Sequence, residues 1–138
     1  MNSDLRREII LEHNQHPKHF GLVSNDFEKI KANNTSCIDQ FDLAIKIVDH
    51  KIMDLRFAGE GCAISKSTTS IMCDLLINKS VNEAKTIITN YLLMINEKSY
   101  DEELLDEAIV FSEVYKQPNR ITCATLTWLA LSEYLETK

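Results

Sequence analysis

The hydrophobic residues change their spacing at Gly61, and this change limits the folds that the chain can adopt. Before Gly61, apolar residues alternate with polar ones over residues 41–48 and again over 53–57, which predicts two strands joined by a tight turn at residues 49–51. A third strand is predicted over residues 27–32. Together these segments are expected to form a small antiparallel sheet of about three strands.

Beyond Gly61 the apolar residues recur every three or four positions, which is the period of a helix. The predicted helices are residues 4–16, a segment from Cys62 to about Asn78, a segment opened by the capping box of Ser80 and Glu83, the stretch 97–114, and a last helix that begins at Pro118. Because the strands precede most of the helices, the pattern indicates an α+β fold with a helical C-terminal half packed with the sheet.

Length and composition indicate one domain over residues 1–138, with 44% hydrophobic and 26% charged residues. No apolar stretch is long enough to cross a bilayer, and the N-terminal residues lack the apolar core of a signal peptide. We therefore expect no membrane partner and a cytoplasmic location. The net charge of −6 and the absence of a run of Lys or Arg argue against nucleic-acid binding.

The four cysteines, Cys37, Cys62, Cys73 and Cys123, are the main candidates for chemistry. In a reducing cytoplasm they are expected to serve metal binding or sulfur chemistry rather than disulfides. No pair has the C-x-x-C spacing of a zinc finger, so their predicted positions on the fold are more informative than their spacing.

Three of these cysteines are predicted to lie near the ends of elements. Cys37 and Asp39 project to the same side if the segment before the first long strand is extended. Cys62 is at a strand-to-helix junction and Cys123 is in the first turns of the last helix, where the helix dipole favours a thiolate. Three thiolates and one carboxylate would suit a tetrahedral zinc ion, with the oxygen as the most readily exchanged ligand. Arg120, one helical turn before Cys123, is placed to hydrogen-bond Asp39 or to hold an anionic sulfur species.

Simpler interpretations stand beside this one. Any of these cysteines could equally be a core residue, since free cysteine is among the most buried residue types. Cys73, in the middle of a predicted helix, is assigned to the core and left out of the site. The histidines His13, His16 and His19 are expected to be solvated or core hydrogen-bonding groups rather than ligands. Gly59 and Gly61 are expected to give the approach to Cys62 its backbone freedom.

Four motifs together resemble the NifU/IscU family of iron-sulfur assembly proteins, and within it the SufU type. They are "IILEHNQHPKHFG", "NTSCID", "FAGEGCAISKSTTSIM" and "RITCATLTWLAL". The resemblance extends over nearly the whole chain and implies a single NifU N-terminal-like domain. It also implies that Cys37, Asp39, Cys62 and Cys123 are the metal ligands.

Two features resemble the SufU type more than the scaffold type. Thr122 stands where scaffolds have a histidine, next to the pair Arg120 and Cys123, and the chain has an additional stretch around residues 96–112. The resemblance implies a zinc-binding protein that accepts persulfide sulfur on Cys37 from a SufS-type cysteine desulfurase and delivers it to downstream cluster assembly proteins. In that role Arg120 would support the sulfur acceptor.

The first cysteine motif departs from the family pattern. Thr35 and Ser36 lack the family's proline, and Ile38 replaces a glycine between Cys37 and Asp39. A β-branched residue disfavours positive φ, so this loop is expected to be more extended or stiffer than in the family. The alternatives to a zinc-dependent sulfurtransferase are a non-enzymatic scaffold that assembles an iron-sulfur cluster, and an interaction module with a structural zinc or free thiols.

Overall fold

The computed structural model describes residues 2–21, 26–33 and 39–138. Over these residues the chain forms three strands, which are β1 (Glu28–Asn33), β2 (Gln40–Val48) and β3 (Lys51–Glu60). The α-helices are α1 (Ser3–Gln15), α2 (Ala63–Leu76), α3 (Val81–Ile95) and α4 (Pro118–Leu135). The predicted α+β class is therefore confirmed.

The three strands form one antiparallel sheet in the order β1-β2-β3. A two-residue turn joins β2 to β3, with Val48 paired to Lys51. Asp49 and His50 both have positive φ, at 53° and 63°, which is the backbone of the turn type that matches the twist of a hairpin. The tight turn predicted at this position is thus confirmed.

Two helix starts follow the predicted signals, and α1 begins at a cap that is not among them. Asn2 accepts a hydrogen bond from the backbone N–H of Leu5 and so caps α1. Ser80 and Glu83 form the complete capping box at the start of α3. Pro118 occupies the first turn of α4, where its missing N–H breaks no helical hydrogen bond.

One helix prediction is wrong in its type and extent. The stretch predicted as a helix over residues 97–114 contains short 3-10 helices at Glu102–Leu104 and Asp106–Phe111, and another follows at Val114–Lys116. Asp106 has φ of 47°, a left-handed conformation that a continuous α-helix does not allow. The acidic side chains at 101–103 and 106 are exposed, as the sequence predicts.

The core lies between the sheet and helices α2, α3 and α4. At its centre the ring of Trp128 stacks on Tyr91 with 3.7 Å between ring centroids. The indole N–H donates to the Thr68 hydroxyl at 2.9 Å, and the Tyr91 hydroxyl donates to the carbonyl of Ala124 at 2.7 Å. These bonds satisfy the polar atoms of the buried aromatic pair, so the prediction that Trp128 is a core residue is confirmed.

In the part of the chain that the structure describes, no helix combines the length and the apolar character that a membrane crossing requires.

Candidate metal centre

The pairing of β2 with β3 brings distant parts of the sequence together. Gln40, the first residue of β2, pairs with Glu60, and Phe41 pairs with Gly59. Extending this antiparallel register by one residue places Asp39 opposite Gly61. The carboxylate that precedes β2 therefore lies beside the junction from which α2 begins.

The two glycines of this junction have different structural roles. Gly59 has φ of +134°, and a Cβ there would lie 2.1 Å from the carbonyl oxygen of Gln40. A Cβ on Gly61 would lie 2.4 Å from Oγ of Ser65 and 2.7 Å from Oδ1 of Asp39. The predicted need for backbone freedom is confirmed for Gly59. It is not found at Gly61, because the described glycines with positive φ are Gly21 and Gly59. Gly61 is required for the close approach of the chain to these side chains.

Cys62 is the N-cap residue of α2, with extended backbone angles. Its N–H donates to Oδ1 of Asp39 at 3.0 Å, and the hydroxyl of Ser65 donates to the same oxygen at 3.0 Å. These two hydrogen bonds hold the Asp39 carboxylate against the first turn of α2. Asp39 is buried there, with only 1% of its surface exposed.

Cys123 completes the cluster from the other side. It lies in the second turn of α4 and is buried, whereas Cys62 is half-buried. The ligand atoms of Asp39, Cys62 and Cys123 all lie within 4.8 Å of one another. Within residues 2–21, 26–33 and 39–138, this is the one group of three or more His, Cys, Asp or Glu side chains with ligand atoms close enough to share an ion.

The pKa values of the two thiols in the cluster are shifted in opposite directions. Burial opposes ionisation of Cys62, but hydrogen bonds from the backbone and side chain of Ser65 and from Cys123 lower the pKa of Cys62 below its ordinary value. Burial, the neighbouring Cys62 sulfur and the Asp39 carboxylate raise the pKa of Cys123 to about 12. A proton is therefore lost more readily from Cys62 than from Cys123, so the expectation of a favoured thiolate at both helix starts is supported for Cys62 and not for Cys123.

Two predicted site residues are not part of this described cluster. Cys37, together with Thr35, Ser36 and Ile38, lies outside the described residues, so its predicted place as a ligand stays a prediction. Arg120 is exposed in the first turn of α4, and among the described residues it forms no ion pair with Asp39. The predicted bond from Arg120 to Asp39 is thus not formed between these two described residues, while a role toward an anion at the surface stays a prediction.

The remaining candidates are structural. Cys73 is fully buried in α2, and burial strongly raises the pKa of its thiol, so its assignment to the core is confirmed. His13 is buried, with its ring nitrogens 2.7 Å from the Ser70 hydroxyl and 3.0 Å from a Glu107 carboxylate oxygen. These contacts confirm the interpretation of His13 as a core hydrogen-bonding residue.

Sequence reasoning missed Ser65. Its side chain is 1% exposed and contacts both Asp39 and Cys62. The signal was present in the motif "GCAIS", because a residue three positions after the N-cap faces back toward the N-cap residue. What the sequence did not show is that the carboxylate of Asp39 lies between them.

The model of the NifU-like N-terminal domain matches residues 5–131 of this chain. The iron-sulfur cluster assembly scaffold protein IscU of Streptococcus pyogenes serotype M1 is 35% identical over 129 residues, which cover 93% of this chain and 80% of that protein. The zinc-dependent sulfurtransferase SufU of Bacillus subtilis (strain 168) is 33% identical over 130 residues, which cover 94% of this chain and 88% of that protein.

Solved structures share the fold. The crystal structure of the SUF-system protein FiSufU from the thermophile Fervidobacterium islandicum AW-1 superposes with a TM-score of 0.86 at 32% identity, covering 94% of this chain and 93% of that one. The N-terminal part of a NifU-like protein from Brucella abortus has a TM-score of 0.84 at 19% identity, covering 99% and 97% of the two chains. At that identity the second likeness concerns the fold alone.

Proposed function

The chain belongs to the family of NifU-like N-terminal domains, and from this we propose that it is an iron-sulfur cluster assembly protein that binds zinc and accepts persulfide sulfur from a cysteine desulfurase. The observation that carries the proposal is the convergence of Asp39, Cys62 and Cys123 from three separate elements. The similarity to a zinc-dependent sulfurtransferase over 94% of the chain supports the choice of chemistry.

The donor set fits zinc. Thiolate sulfur and carboxylate oxygen are both ordinary zinc ligands, and a tetrahedral ion with bonds of about 2.0–2.3 Å holds its ligand atoms roughly 3.5–3.8 Å apart. The three ligand atoms lie within 4.8 Å of one another, so small side-chain rotations suffice to close the set. We assign the fourth position to Cys37, which stands two residues before Asp39 in the sequence. Bound zinc would stabilise the thiolate forms of these cysteines.

The sulfur transfer itself needs no oxidant or reductant. The desulfurase would first displace Cys37 from the metal position, and the free Cys37 thiolate then attacks the terminal sulfur of the persulfide on the desulfurase cysteine. A new S–S bond forms at Cys37, the S–S bond on the desulfurase breaks, and the desulfurase cysteine leaves as a thiolate. Arg120, exposed near the start of α4, supplies a positive charge for the anionic persulfide that results. A SufS-type desulfurase is the proposed donor, and cluster assembly proteins are the proposed recipients.

Metal analysis and sulfur mapping test this function. Freshly purified protein should contain about one zinc per chain, and Cys62→Ala or Cys123→Ala should lose it, whereas Cys73→Ala should retain it because Cys73 lies in the core. After incubation with desulfurase and cysteine, alkylation mapping should find the added sulfur on Cys37. Protein without zinc, or persulfide on Cys73, would overturn the proposal.

A second candidate function is a scaffold on which an iron-sulfur cluster is assembled. It is favoured by the 35% identity to a protein named as such a scaffold. Anaerobic reconstitution with iron and sulfide distinguishes the two functions, because a zinc site is colourless whereas an iron-sulfur cluster absorbs visible light. A stable visible chromophore that requires Cys62 and Cys123 would favour the scaffold.

A further inference from the structure

Ser65 lies beside two of the proposed ligands in the first turn of α2. Its Oγ is 3.0 Å from Oδ1 of Asp39, 3.1 Å from the carbonyl oxygen of Cys62 and 3.6 Å from the sulfur of Cys62. The side chain is 1% exposed. A hydroxyl has one proton to donate, so the carboxylate and the carbonyl compete for it, and the Cys62 sulfur competes as well when it is a thiolate.

The carboxylate is the strongest of these acceptors, since hydrogen bonds to an ionised oxygen are shorter and stronger than those to a neutral one. Oδ1 of Asp39 also accepts the N–H of Cys62 at 3.0 Å. Both donors belong to the N-terminal turn of α2. The rotation of the Asp39 carboxylate is therefore tied to the same turn that carries the Cys62 sulfur.

Packing leaves little room for a substitute for this hydroxyl. A Cβ on Gly61 would lie 2.4 Å from Ser65 Oγ and 2.7 Å from Asp39 Oδ1, which shows how closely the backbone at Gly61 presses on the pair. Ser65 is only 1% exposed, so bulk solvent does not reach the position of this hydroxyl. A variant without this group should thus lose the hydrogen bond rather than replace it with solvent.

We propose that Ser65 is a positioning residue of the metal centre, whose hydroxyl fixes the orientation of the Asp39 carboxylate relative to Cys62. The inference rests on the proposed zinc-binding function. Its consequence is that the oxygen ligand occupies one orientation before metal arrives and returns to that orientation after it has been exchanged. Hydrogen-bond partners of metal-ligating carboxylates commonly change metal affinity by about 10–100-fold when they are removed.

The test compares Ser65→Ala with Ser67→Ala. Ser67 is a matched control, because it is a fully buried serine on the same helix whose hydroxyl donates to the carbonyl of Ile64 and not to a ligand. Cobalt(II) is the probe, since its visible absorption reports the coordination geometry. Ser65→Ala should bind cobalt about 10–100-fold more weakly with an altered visible band, whereas Ser67→Ala should match the wild type. Wild-type affinity and band shape in Ser65→Ala would overturn the proposal.

A measurement on metal-free protein separates this inference from the proposed function. Hydrogen exchange of the Cys62 amide should be faster in Ser65→Ala, because the carboxylate that accepts this amide has lost one of its hydrogen-bond donors, and unchanged in Ser67→Ala. Unchanged exchange in Ser65→Ala would overturn the positioning role. A wild-type protein that binds no metal, but whose Cys62 amide responds in this way, would instead overturn the zinc-binding function and leave the positioning of Asp39 established.

Discussion

The hydroxyl oxygens of Thr69 and Thr127 lie 2.8 Å apart in the core and join α2 to α4. The Thr69 hydroxyl also donates to the carbonyl oxygen of Ser65 at 2.7 Å, so its proton is already used and Thr127 is the donor of the pair. Both side chains are almost completely buried. Since α2 begins after Cys62 and α4 carries Cys123, this contact helps to set the separation of the two cysteines.

Replacing either threonine with valine should destabilise the protein by about 1–3 kcal/mol, because the shape is kept while a buried partner is left unsatisfied. The double variant Thr69→Val with Thr127→Val should lose less unfolding free energy than the sum of the losses in the two single variants. Urea unfolding of the four proteins in a double-mutant cycle measures this coupling. Strictly additive losses would show that the two hydroxyls do not interact.

Gly61→Ala should damage the metal centre by crowding it. The added Cβ would meet Ser65, Asp39 and Phe41 at 2.4–2.7 Å, so the carboxylate or the strand end has to move. We expect a loss of about 1–3 kcal/mol in unfolding free energy, as for other overpacked sites, together with weaker zinc binding in a chelator competition.

Gly21→Ala is the control for this prediction. Gly21 has φ of +112°, and a Cβ added there would meet nothing within 4 Å, so the substitution introduces backbone strain of about 1–3 kcal/mol without a collision. Its zinc affinity should stay at the wild-type value. Equal loss of zinc affinity in both variants would mean that general destabilisation, and not crowding at Asp39, is responsible.

The sequence was sufficient to predict the elements whose signals are local. The alternating strands, the capping box of Ser80 and the proline at the start of α4 each act through neighbouring residues, and all were confirmed. The stretch after residue 96 was not predictable in this way. Its apolar spacing suggested a helix, but Asp106 adopts a left-handed conformation and the chain forms 3-10 turns that fit the core.

The candidate site shows the same division between local and tertiary information. The predicted helices place Cys62 and Cys123 near helix N-termini, and the structure confirms those positions. That Asp39 is buried, and that Ser65 bonds to it across 26 positions of sequence, depends on the register of β2 against β3. Register is set by the packing of whole strands, so no single motif encodes it.

Acid should remove a small stabilising contribution from Asp74. Burial opposes its ionisation, but a hydrogen bond with His19 and the charge of Lys18 lower the pKa of Asp74 below its ordinary value. A carboxylate with a lowered pKa stabilises the fold above its unfolded pKa of about 3.9, and this stabilisation is lost as the pH falls through the lower folded value. Because Asp74 is 40% exposed, we expect only about 0.5 kcal/mol.

The prediction is checked by urea unfolding of wild type and Asp74→Asn at pH 7 and pH 3. Asp74→Asn should be less stable at pH 7, and the difference should shrink as the pH falls below the unfolded pKa of about 3.9, because the unfolded chain then takes up a proton more readily than the folded one. Glu133→Gln, which removes another exposed carboxylate from α4, serves as the control and should match wild type at both pH values. A difference that grows on acidification would mean that the fold raises the pKa of Asp74 instead of lowering it.

Zinc affinity should rise steeply with pH. Burial and the negative charge of the neighbouring groups raise the pKa of Cys123 to about 12, so this residue is a thiol at neutral pH. A metal binds the thiolate form, so it must displace the proton of Cys123. Cys62 has a lowered pKa, so its deprotonation opposes metal binding less. Each proton displaced raises the apparent affinity about tenfold for each unit of pH, since the competing proton concentration falls tenfold.

Competition with a zinc chelator at pH 6.5, 7.5 and 8.5 gives the slope, and calorimetry in buffers of different ionisation enthalpy counts the protons released. We expect a release of at least one proton at pH 7.5. Cys73→Ala should leave the count unchanged, because Cys73 is fully buried in α2. An affinity independent of pH would mean that Cys123 is not a ligand, since its proton would then remain in place when the metal binds.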